Sequence, residues 1–398
     1  MSKKGNLFSF VGAAFALIAT YITSAVPIPL YGIYQTADHI GYVELSLSSV
    51  VYFIGAVTAL VVFGRLSNHL GRKPVAVISL LLAALSTLFF LNVHSAAPLL
   101  LGRLCQGLAC GLASTALASW VVDCAFTVRA WIAPAILSCG PMTGLTIGGL
   151  GSGALTEYGP IPRQLPFYVV LAVLLVCLLF VLRSQETMAP KSGAMRSLKP
   201  NFALPPSAKK AFPLAACTFV CTWALGGFFQ AFGPAMAREQ LHSTSAVAAA
   251  LVFASIMAPS SIGASLAGKM SSKRAQFAGM LSFTLFVGCI LFTLSSGLLI
   301  PFLIASVLAG IAQGMVLTGS IQTMVSELTA DERANVLSVI YATSYMGAAV
   351  PTLIAGQFSE HFSLLQVAGA YGVLALLGSV ILIAAKLKQK SAGAITDN

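Results

Sequence analysis

About twelve apolar runs of roughly 20 residues each constrain this chain more than any other feature. A helix needs a run of that length to cross the hydrocarbon core of a bilayer. Of the 398 residues, 58% are hydrophobic and only 8% are charged, whereas a soluble chain carries about a quarter charged residues. We therefore predict an all-α integral membrane protein. The predicted spans are 7–31, 45–63, 75–93, 98–122, 130–155, 166–182, 212–235, 246–267, 277–296, 300–325, 334–358 and 364–385.

The positive charges follow the predicted loops. Of the 22 Lys and Arg residues, 19 lie in alternate loops or at the two termini, Arg103 lies inside an apolar run, and the intervening loops hold only Arg163 and Arg238. An excess of Lys and Arg is typical of cytoplasmic loops. The pattern predicts an even number of spans with both termini cytoplasmic. It also explains the net charge of +11 without a nucleic-acid partner.

One long polar segment divides the spans into two sets of six. Residues 184–210 contain four prolines and mostly basic charges. We predict an N-terminal six-helix bundle at 1–183, a cytoplasmic linker at 184–210 and a C-terminal six-helix bundle at 211–398. Residues 102–107 in the fourth run parallel residues 310–314 in the tenth, so the two halves are predicted to be duplicates in parallel orientation.

A basic turn joins the second and third runs. It reads Gly64-Arg65-Leu66-Ser67-Asn68-His69-Leu70-Gly71-Arg72-Lys73, and its glycines allow tight backbone geometry. The turn resembles the loop 2–3 signature of the major facilitator superfamily, G-x-L-(A/S)-D-x-x-G-R-K, with Asn68 in place of the usual aspartate. The resemblance implies twelve helices in two pseudo-symmetric six-helix bundles, with a substrate site between them near the midplane. It also implies that the turn gates transport through Gly64, Asn68, Gly71, Arg72 and Lys73.

Asp123 closes the fourth run on the same side as the basic turn. In the family that the chain resembles, an acid at this position pairs with a basic residue of the turn, here Arg72 or Arg65. That pair is expected to latch the outward-facing state, and Glu327 is its counterpart in the second half. The alternative is an ordinary solvated salt bridge, worth less than about 1 kcal/mol.

Arg103 is the one charge that lies well inside an apolar run. A charge there costs at least about 2–3 kcal/mol on insertion scales, so its side chain should face a cavity or a partner. Arg103-Leu104-Cys105-Gln106-Gly107 resembles the superfamily pattern R-x-x-Q-G, which implies proton coupling or substrate contact for Arg103 and Gln106. The alternative is a structural arginine that snorkels outward or binds carbonyls of the first helix.

The fifth run is rich in glycine. Gly140, Gly144 and Gly148 recur at spacings of four and predict a flat face for close helix approach. Gly140-Pro141-Met142-Thr143-Gly144 resembles the antiporter signature G-x-x-x-G-P-x-x-G-G, which implies export and a gating role for Gly140, Pro141 and Gly144. The signature's first and last glycines are replaced here by other residues. Tight packing of two helices is the alternative explanation.

Acidic residues are missing from the middle of every run. All eleven acids lie at run ends, in loops or in tails. Exporters of the family that the chain resembles carry the proton on a membrane carboxylate, so the candidate coupling acids are Asp38 and Glu44. Either Asp38 or Glu44 lies deeper in the membrane than the apolar runs indicate, or coupling differs from that of these exporters, or transport is not coupled. With Arg103 as its only charge, the cavity favours an anionic or neutral substrate.

Aromatic and amide side chains are the candidates for lining that cavity. Some of these candidates lie beside backbone that is predicted to be flexible. Prolines break the helix at the end of the first run, and Gly226 and Gly227 form a predicted hinge in the seventh. The candidates are Tyr31, Tyr34, Trp223, Gln230, Gln313, Tyr341 and Tyr345.

The sequence therefore predicts a secondary transporter that exports a small organic molecule, a drug or a metabolite, by proton-coupled alternating access. The alternative is an uptake carrier or facilitator for an anionic small molecule, with Arg103 as counter-ion. The eight cysteines do not have the spacing of a zinc site, and the spans contain no catalytic pair of side chains. The sequence therefore gives no indication of an enzyme, a metal site or a cofactor. We expect a monomer in the bacterial inner membrane.

Overall fold

The computed structural model describes residues 3–129, 131–199, 204–325, 328 and 330–396. Within these residues, twelve helices are long and apolar enough to cross a membrane, which confirms the predicted fold class. They are Leu7–Ala37 (α1), Tyr42–Phe63 (α2), Arg72–Leu91 (α3), Ala96–Asp123 (α4), Ile132–Tyr158 (α5), Leu165–Arg183 (α6), Ala208–Gln240 (α7), Ala246–Ala267 (α8), Ser272–Ser295 (α9), Leu299–Val325 (α10), Val336–Phe358 (α11) and Leu364–Lys388 (α12).

Helix α1 extends further than its apolar run predicts. Regular helix ends at Ala25, a 3-10 turn covers Ile28–Leu30, and helix resumes over Tyr31–Ala37. The turn coincides with Pro27 and Pro29, which have no backbone N–H to donate to a helical hydrogen bond. Because the helix resumes after the prolines, its last two turns reach the boundary between the halves.

Consecutive helices cross in opposite directions. The start of each odd-numbered helix and the end of each even-numbered helix therefore lie at one end of the molecule, which we call the terminal end. The loops that follow odd-numbered helices lie at the opposite end, which we call the far end.

Equivalent helices pack in the same pairs in both halves. Helices α1 and α5 pack together as α7 and α11 do, α2 and α4 as α8 and α10 do, and α3 and α6 as α9 and α12 do. The contacts between the halves follow the same equivalence: α2 of the first half packs on α11, and its counterpart α8 packs on α5, the counterpart of α11. This pairing is the pseudo-symmetry that the sequence parallel predicted.

Glycines allow several of these pairs to approach backbone to backbone. A Cβ on Gly144 of α5 would lie 2.6 Å from the carbonyl oxygen of Ile18 in α1, and one on Gly314 of α10 would lie 2.9 Å from Ser260 Cα in α8. At distances this short a Cβ would force the two helices to shift, and small residues are the usual means by which membrane helices pack closely.

The glycine pair of α7 does not form a hinge in this structure. Helix continues through Gly226 and Gly227, and a Cβ on Gly227 would lie 2.6 Å from Thr352 Oγ1 in α11. Gly227 therefore permits close packing of α7 on α11.

The segment after α6 lies against the loop between α2 and α3. Lys191 N donates to the carbonyl oxygen of His69 at 2.8 Å, and Ala194–Ser197 forms one short helix. The domain boundaries at residues 183 and 211 stay a prediction.

Candidate translocation pathway

Arg103 is fully buried within the N-terminal half, with an exposed fraction of 0%. Its Nε donates to Tyr31 Oη at 2.9 Å, and its Nη1 donates to the carbonyl oxygen of Ser24 at 2.7 Å and to Gln106 Oε1 at 3.0 Å. Its Nη2 also donates to Tyr31 Oη. Gln106 Nε2 in turn donates to the carbonyl oxygen of Thr23 at 2.7 Å. The side chain thus binds the broken part of α1.

Aromatic rings complete the enclosure of Arg103. Its guanidinium carbon lies 5.4 Å from the ring centre of Tyr31 and 5.9 Å from that of Tyr52. Charge-assisted hydrogen bonds and cation–π contacts offset the cost of holding a charge in the membrane. In this conformation every hydrogen-bond partner of the guanidinium belongs to the N-terminal half.

An aromatic cluster connects the two halves. Phe53 of α2 and Tyr345 of α11 have ring centres 6.0 Å apart, and Trp223 of α7 packs edge-on against Tyr345 at 4.9 Å. Tyr21 of α1 also interacts with Tyr345, and its hydroxyl hydrogen bonds to Ser114 of α4 at 2.6 Å. We call Tyr21, Phe53, Trp223 and Tyr345 the interface cluster. Sequence reasoning identified the last two and missed the first two, because many apolar helices carry such rings.

Tyr341 lies one helical turn from Tyr345 toward the terminal end of α11. Its spacing of four residues places it on the same face as Tyr345, yet 39% of Tyr341 is exposed whereas Tyr345 is buried. The interface is therefore more open at Tyr341 than at the cluster. Tyr341 thus lies on the terminal-end side of the interface cluster and is more exposed than Tyr345.

The two equivalent glutamines differ in their bonding. Gln106 uses both of its side-chain polar atoms within the N-terminal half. Gln313 is also buried, but its Oε1 has no hydrogen-bond partner among the residues that the structure describes. Gln230 is buried on the same face of α7 as Trp223, seven residues further along. Gln313 thus keeps a free acceptor in the C-terminal half.

The far end is closed by contacts between the halves. The hydroxyl of Tyr42 in α2 donates to Glu239 at the end of α7, and Arg238 Nη2 donates to Gln35 Oε1 of the α1 extension at 3.2 Å. The ring of Tyr42 lies 6.0 Å from that of Phe232. Each contact joins residues about 200 positions apart in the chain, which explains why sequence reasoning did not find them.

A second far-end contact caps a helix across the interface. Glu157 of α5 accepts hydrogen bonds from Ser245 Oγ and from the backbone N–H of Val247 at 2.9 Å, at the start of α8. A carboxylate at a helix N-terminus satisfies free N–H groups and complements the helix dipole. We call the contacts of Tyr42 with Glu239, of Gln35 with Arg238, and of Glu157 with α8 the far-end latch.

The two candidate coupling acids both lie at the far end. Asp38 ends the α1 extension, where its side chain is 6% exposed and forms an ion pair with Arg163. His94 Nδ1 lies 3.3 Å from Asp38 Oδ1. Glu44 lies in the first turn of α2. The structure therefore does not bring either acid to the interface cluster.

The basic turn and Asp123 come together at the terminal end. Arg72 Nε donates to Asp123 Oδ2 at 3.0 Å, and Arg72 Nη1 donates to Ser67 Oγ at 2.8 Å and to Asn68 Oδ1 at 2.6 Å. This ion pair lies within the N-terminal half and is formed while the far end is closed. Both partners belong to the N-terminal half, and the expectation that this pair latches the outward-facing state stays a prediction. Glu327 lies outside the described residues.

Glu186 of the linker caps α3. Its carboxylate accepts from the backbone N–H groups of Arg72 and Lys73, each at 2.9 Å, and Lys73 Nζ donates to the carbonyl oxygen of Leu182 at 2.9 Å. The capping requires the turn at Gly71, whose φ of 103° favours glycine. Sequence reasoning missed Glu186, although it is the one acid in residues 184–210.

The other candidate gating residues lie at helix contacts. Gly64 follows the π-helical turn that ends α2, and its Cβ would lie 3.4 Å from Thr115 Cγ2 in α4. Gly140 would place a Cβ 3.4 Å from Ile18 Cγ1, and Pro141 lies inside the continuous helix α5. The antiporter-like segment therefore packs against α1 beside Tyr21.

This chain matches a family model over most of its length and individual known proteins over about a quarter of it. The Major Facilitator Superfamily model matches residues 13–350 and also 214–395. Multidrug resistance protein MdtL of Klebsiella pneumoniae is 33% identical over 104 residues, and MdtL of a Shewanella species is 32% identical over 107 residues. These matches cover 26% of this chain and 26% and 27% of the relatives, so the chain spans about a quarter of the length of the curated relatives it matches.

Among solved structures, a crystal structure of a mutant of the nucleoside transporter NupG superposes with a TM-score of 0.71. The identity is 14%, over 94% of this chain and 99% of that chain. At this identity the likeness shows the fold.

Proposed function

The chain belongs to the major facilitator superfamily of transporters, and on that premise we propose that it exports a small organic molecule by proton-coupled alternating access. Members of the superfamily are membrane-embedded carriers of small molecules and are not enzymes. The partial similarity to multidrug resistance proteins supports export over uptake. The antiporter-like glycine segment of α5 supports the same direction.

The observation that carries the proposal is the interface cluster. Four aromatic side chains from α1, α2, α7 and α11 meet where the halves face each other, and Tyr341 opens this region toward the terminal end. Flat rings and hydroxyl groups suit an aromatic or amphipathic solute of low charge. The free acceptor on Gln313 adds one directional contact from the second half.

The closed far end supports an inward-facing resting state. With the terminal end in the cytoplasm, as the distribution of Lys and Arg favours, a substrate enters past Tyr341 and leaves once the far-end latch opens. We place the protein in the bacterial inner membrane as a monomer.

Asp38 is the coupling acid that we propose. Its buried carboxylate pairs with Arg163, whose guanidinium lies 5.6 Å from the ring centre of Tyr34. The ring of Tyr34 lies 6.4 Å from that of Tyr31, the partner of Arg103. Protonation of Asp38 removes the counter-charge of Arg163 and so perturbs a chain of contacts that reaches α4. Asp38 follows the last residue of α1 rather than lying inside the span, so its proposed coupling role rests on this chain of contacts.

The enclosed state of Arg103 supports a neutral or amphipathic substrate over an anion. All four of its hydrogen bonds are internal to the N-terminal half. An anion carrier with Arg103 as counter-ion first has to break this network.

Proteoliposomes with an imposed pH gradient and an internal pH dye test the proposal. A panel of aromatic and amphipathic compounds is added, and we expect some of them to dissipate the gradient. Tyr345→Ala should weaken the apparent affinity by up to about tenfold, since each aromatic pair contributes about 0.5–1.5 kcal/mol. The matched control Tyr168→Ala removes a half-exposed ring of α6 and should leave the affinity unchanged.

The coupling role of Asp38 has its own test. We expect Asp38→Asn to bind substrate but to lose substrate-dependent proton flux, whereas Glu360→Gln, an exposed acid at the same end, should keep it. Substrate flux in the wild type without any pH response would overturn proton antiport.

A further inference from the structure

A polar cavity of about 570 Å³ lies at the terminal end, outside the translocation pathway. It is formed where the linker folds back on the loop between α2 and α3. Its lining residues are Arg65, His69, Ser192, Gly193, Arg196 and Ser197. This cavity plays no part in the transport proposed above.

The charge of this cavity is entirely positive. Arg65 and Arg196 are its two permanent cations, and none of its lining residues is acidic. The nearest acid along the linker, Glu186, already accepts four backbone N–H groups at the start of α3 and in the linker itself. Among the described residues, no hydrogen bond or ion pair occupies the guanidinium of Arg196. The site thus holds uncompensated donors.

The frame of the cavity is held by backbone contacts. Lys191 N donates to the His69 carbonyl oxygen at 2.8 Å, and His69 Nδ1 lies 3.1 Å from the carbonyl oxygen of Ser192, which only accepts. Arg65 Nη2 donates to the carbonyl oxygens of Ser197, at 3.1 Å, and of Lys199. These bonds fix the linker against the loop but leave Nε and Nη1 of Arg65 for a ligand.

We propose that this cavity binds a phosphate group. Guanidinium groups match the oxygen geometry of phosphate with paired, charge-assisted hydrogen bonds, and two of them facing one acid-free concavity is the arrangement such a ligand needs. The group can come from a phospholipid headgroup or from a soluble phosphate. Basic pockets beside membrane helices bind anionic headgroups.

Two observations favour a lipid headgroup as the source. The cavity lies beside the end of a membrane span, since its lining residue Arg65 is the second residue after Phe63, the last residue of α2. Met195, next to Arg196 on the short linker helix, is 80% exposed, so an apolar side chain lies free beside the cations. A bound headgroup would tie the linker to the basic turn and so stabilise the terminal-end network of Arg72 and Asp123.

The test uses the full-length protein in detergent and compares two double variants. Arg65→Ala with Arg196→Ala removes the two cations of the cavity, and Lys209→Ala with Lys210→Ala removes the same charge from exposed positions at the start of α7, outside the cavity. Native mass spectrometry measures binding of phosphatidylglycerol and phosphatidylcholine, and calorimetry measures binding of inorganic phosphate. Size-exclusion profiles confirm that each variant is folded.

We expect phosphatidylglycerol to bind the cavity variant at least about tenfold more weakly than the control variant. Preference for phosphatidylglycerol over inorganic phosphate assigns the site to lipid, whereas inorganic phosphate binding that the cavity variant loses assigns it to a soluble anion. Equal weakening of phosphatidylglycerol binding in both variants would show nonspecific attraction and overturn the proposal. Equal binding by the wild type and the two variants would also overturn it.

Discussion

Substitution of Gly144 tests how closely α5 must pack against α1. A Cβ at this position would lie 2.6 Å from the Ile18 carbonyl oxygen and 2.7 Å from Tyr21 Cβ, whereas ordinary contact begins near 3.4 Å. Gly144→Ala therefore pushes the helices apart by 3.4 − 2.6 = 0.8 Å at this point. Overpacking of this kind costs about 1–3 kcal/mol. Because Tyr21 belongs to the interface cluster, the displacement also reaches the site.

The matched control is Gly151→Ala on the same helix, where a Cβ meets nothing within 4 Å. Both variants gain the helix propensity of alanine, so their difference isolates the contact with α1. We expect Gly144→Ala to be about 1–3 kcal/mol less stable than Gly151→Ala, which is about a 5–150-fold change in the unfolding equilibrium. Thermal unfolding in detergent and transport in proteoliposomes measure the two effects.

Equal unfolding temperatures for the two variants would refute the reasoning. So would full transport by Gly144→Ala, since the displaced Tyr21 should alter the interface cluster. Loss of stability in both variants would instead place Gly151 in a contact that the structure does not contain.

Three further predictions follow from contacts of single side chains. Glu157→Gln removes the charge that caps α8 across the interface. The distance between spin labels on the two halves at the far end should therefore lengthen in part of the population. The control Glu360→Gln should leave this distance unchanged. Asn68→Asp places a carboxylate against Arg72 Nη1, at a distance now of 2.6 Å, and should raise the unfolding temperature; a lower one would contradict the described geometry. Arg103→Lys keeps the charge but loses the forked donors, so transport should fall although the protein still inserts in membranes.

The far-end latch and the interface cluster describe one conformational state. Contacts close the far end, while Tyr341 remains half exposed at the other side of the cluster. In the mechanism proposed above, alternating access would exchange these two conditions about a site near the midplane. The ion pair of Arg72 and Asp123 joins two residues of the same half, so it does not itself connect the halves.

Membrane topology could be predicted from the sequence because its physical cause is local. A span needs about 20 apolar residues wherever it lies in the chain, and the lipid forces its backbone to bond internally as a helix. The loop charges predict which end of the molecule is cytoplasmic, and this orientation stays a prediction. The pairing of Arg72 with Asp123 was predictable too, since short loops at one membrane face bring both residues to the same end.

Tertiary structure alone decided what each side chain faces. Arg103 was recognised as exceptional, but only the packing of α4 on α1 shows that it binds Ser24 and Tyr31 within one half. Glu157 and Glu239 looked like ordinary loop acids, yet they contact residues 90 and 197 positions away in the other half. An apolar run determines that a helix forms, whereas its rotation and tilt depend on glycines and side chains spread over its neighbours. A rotation of one residue, about 100°, changes every partner, so these contacts follow from the packing of the whole bundle.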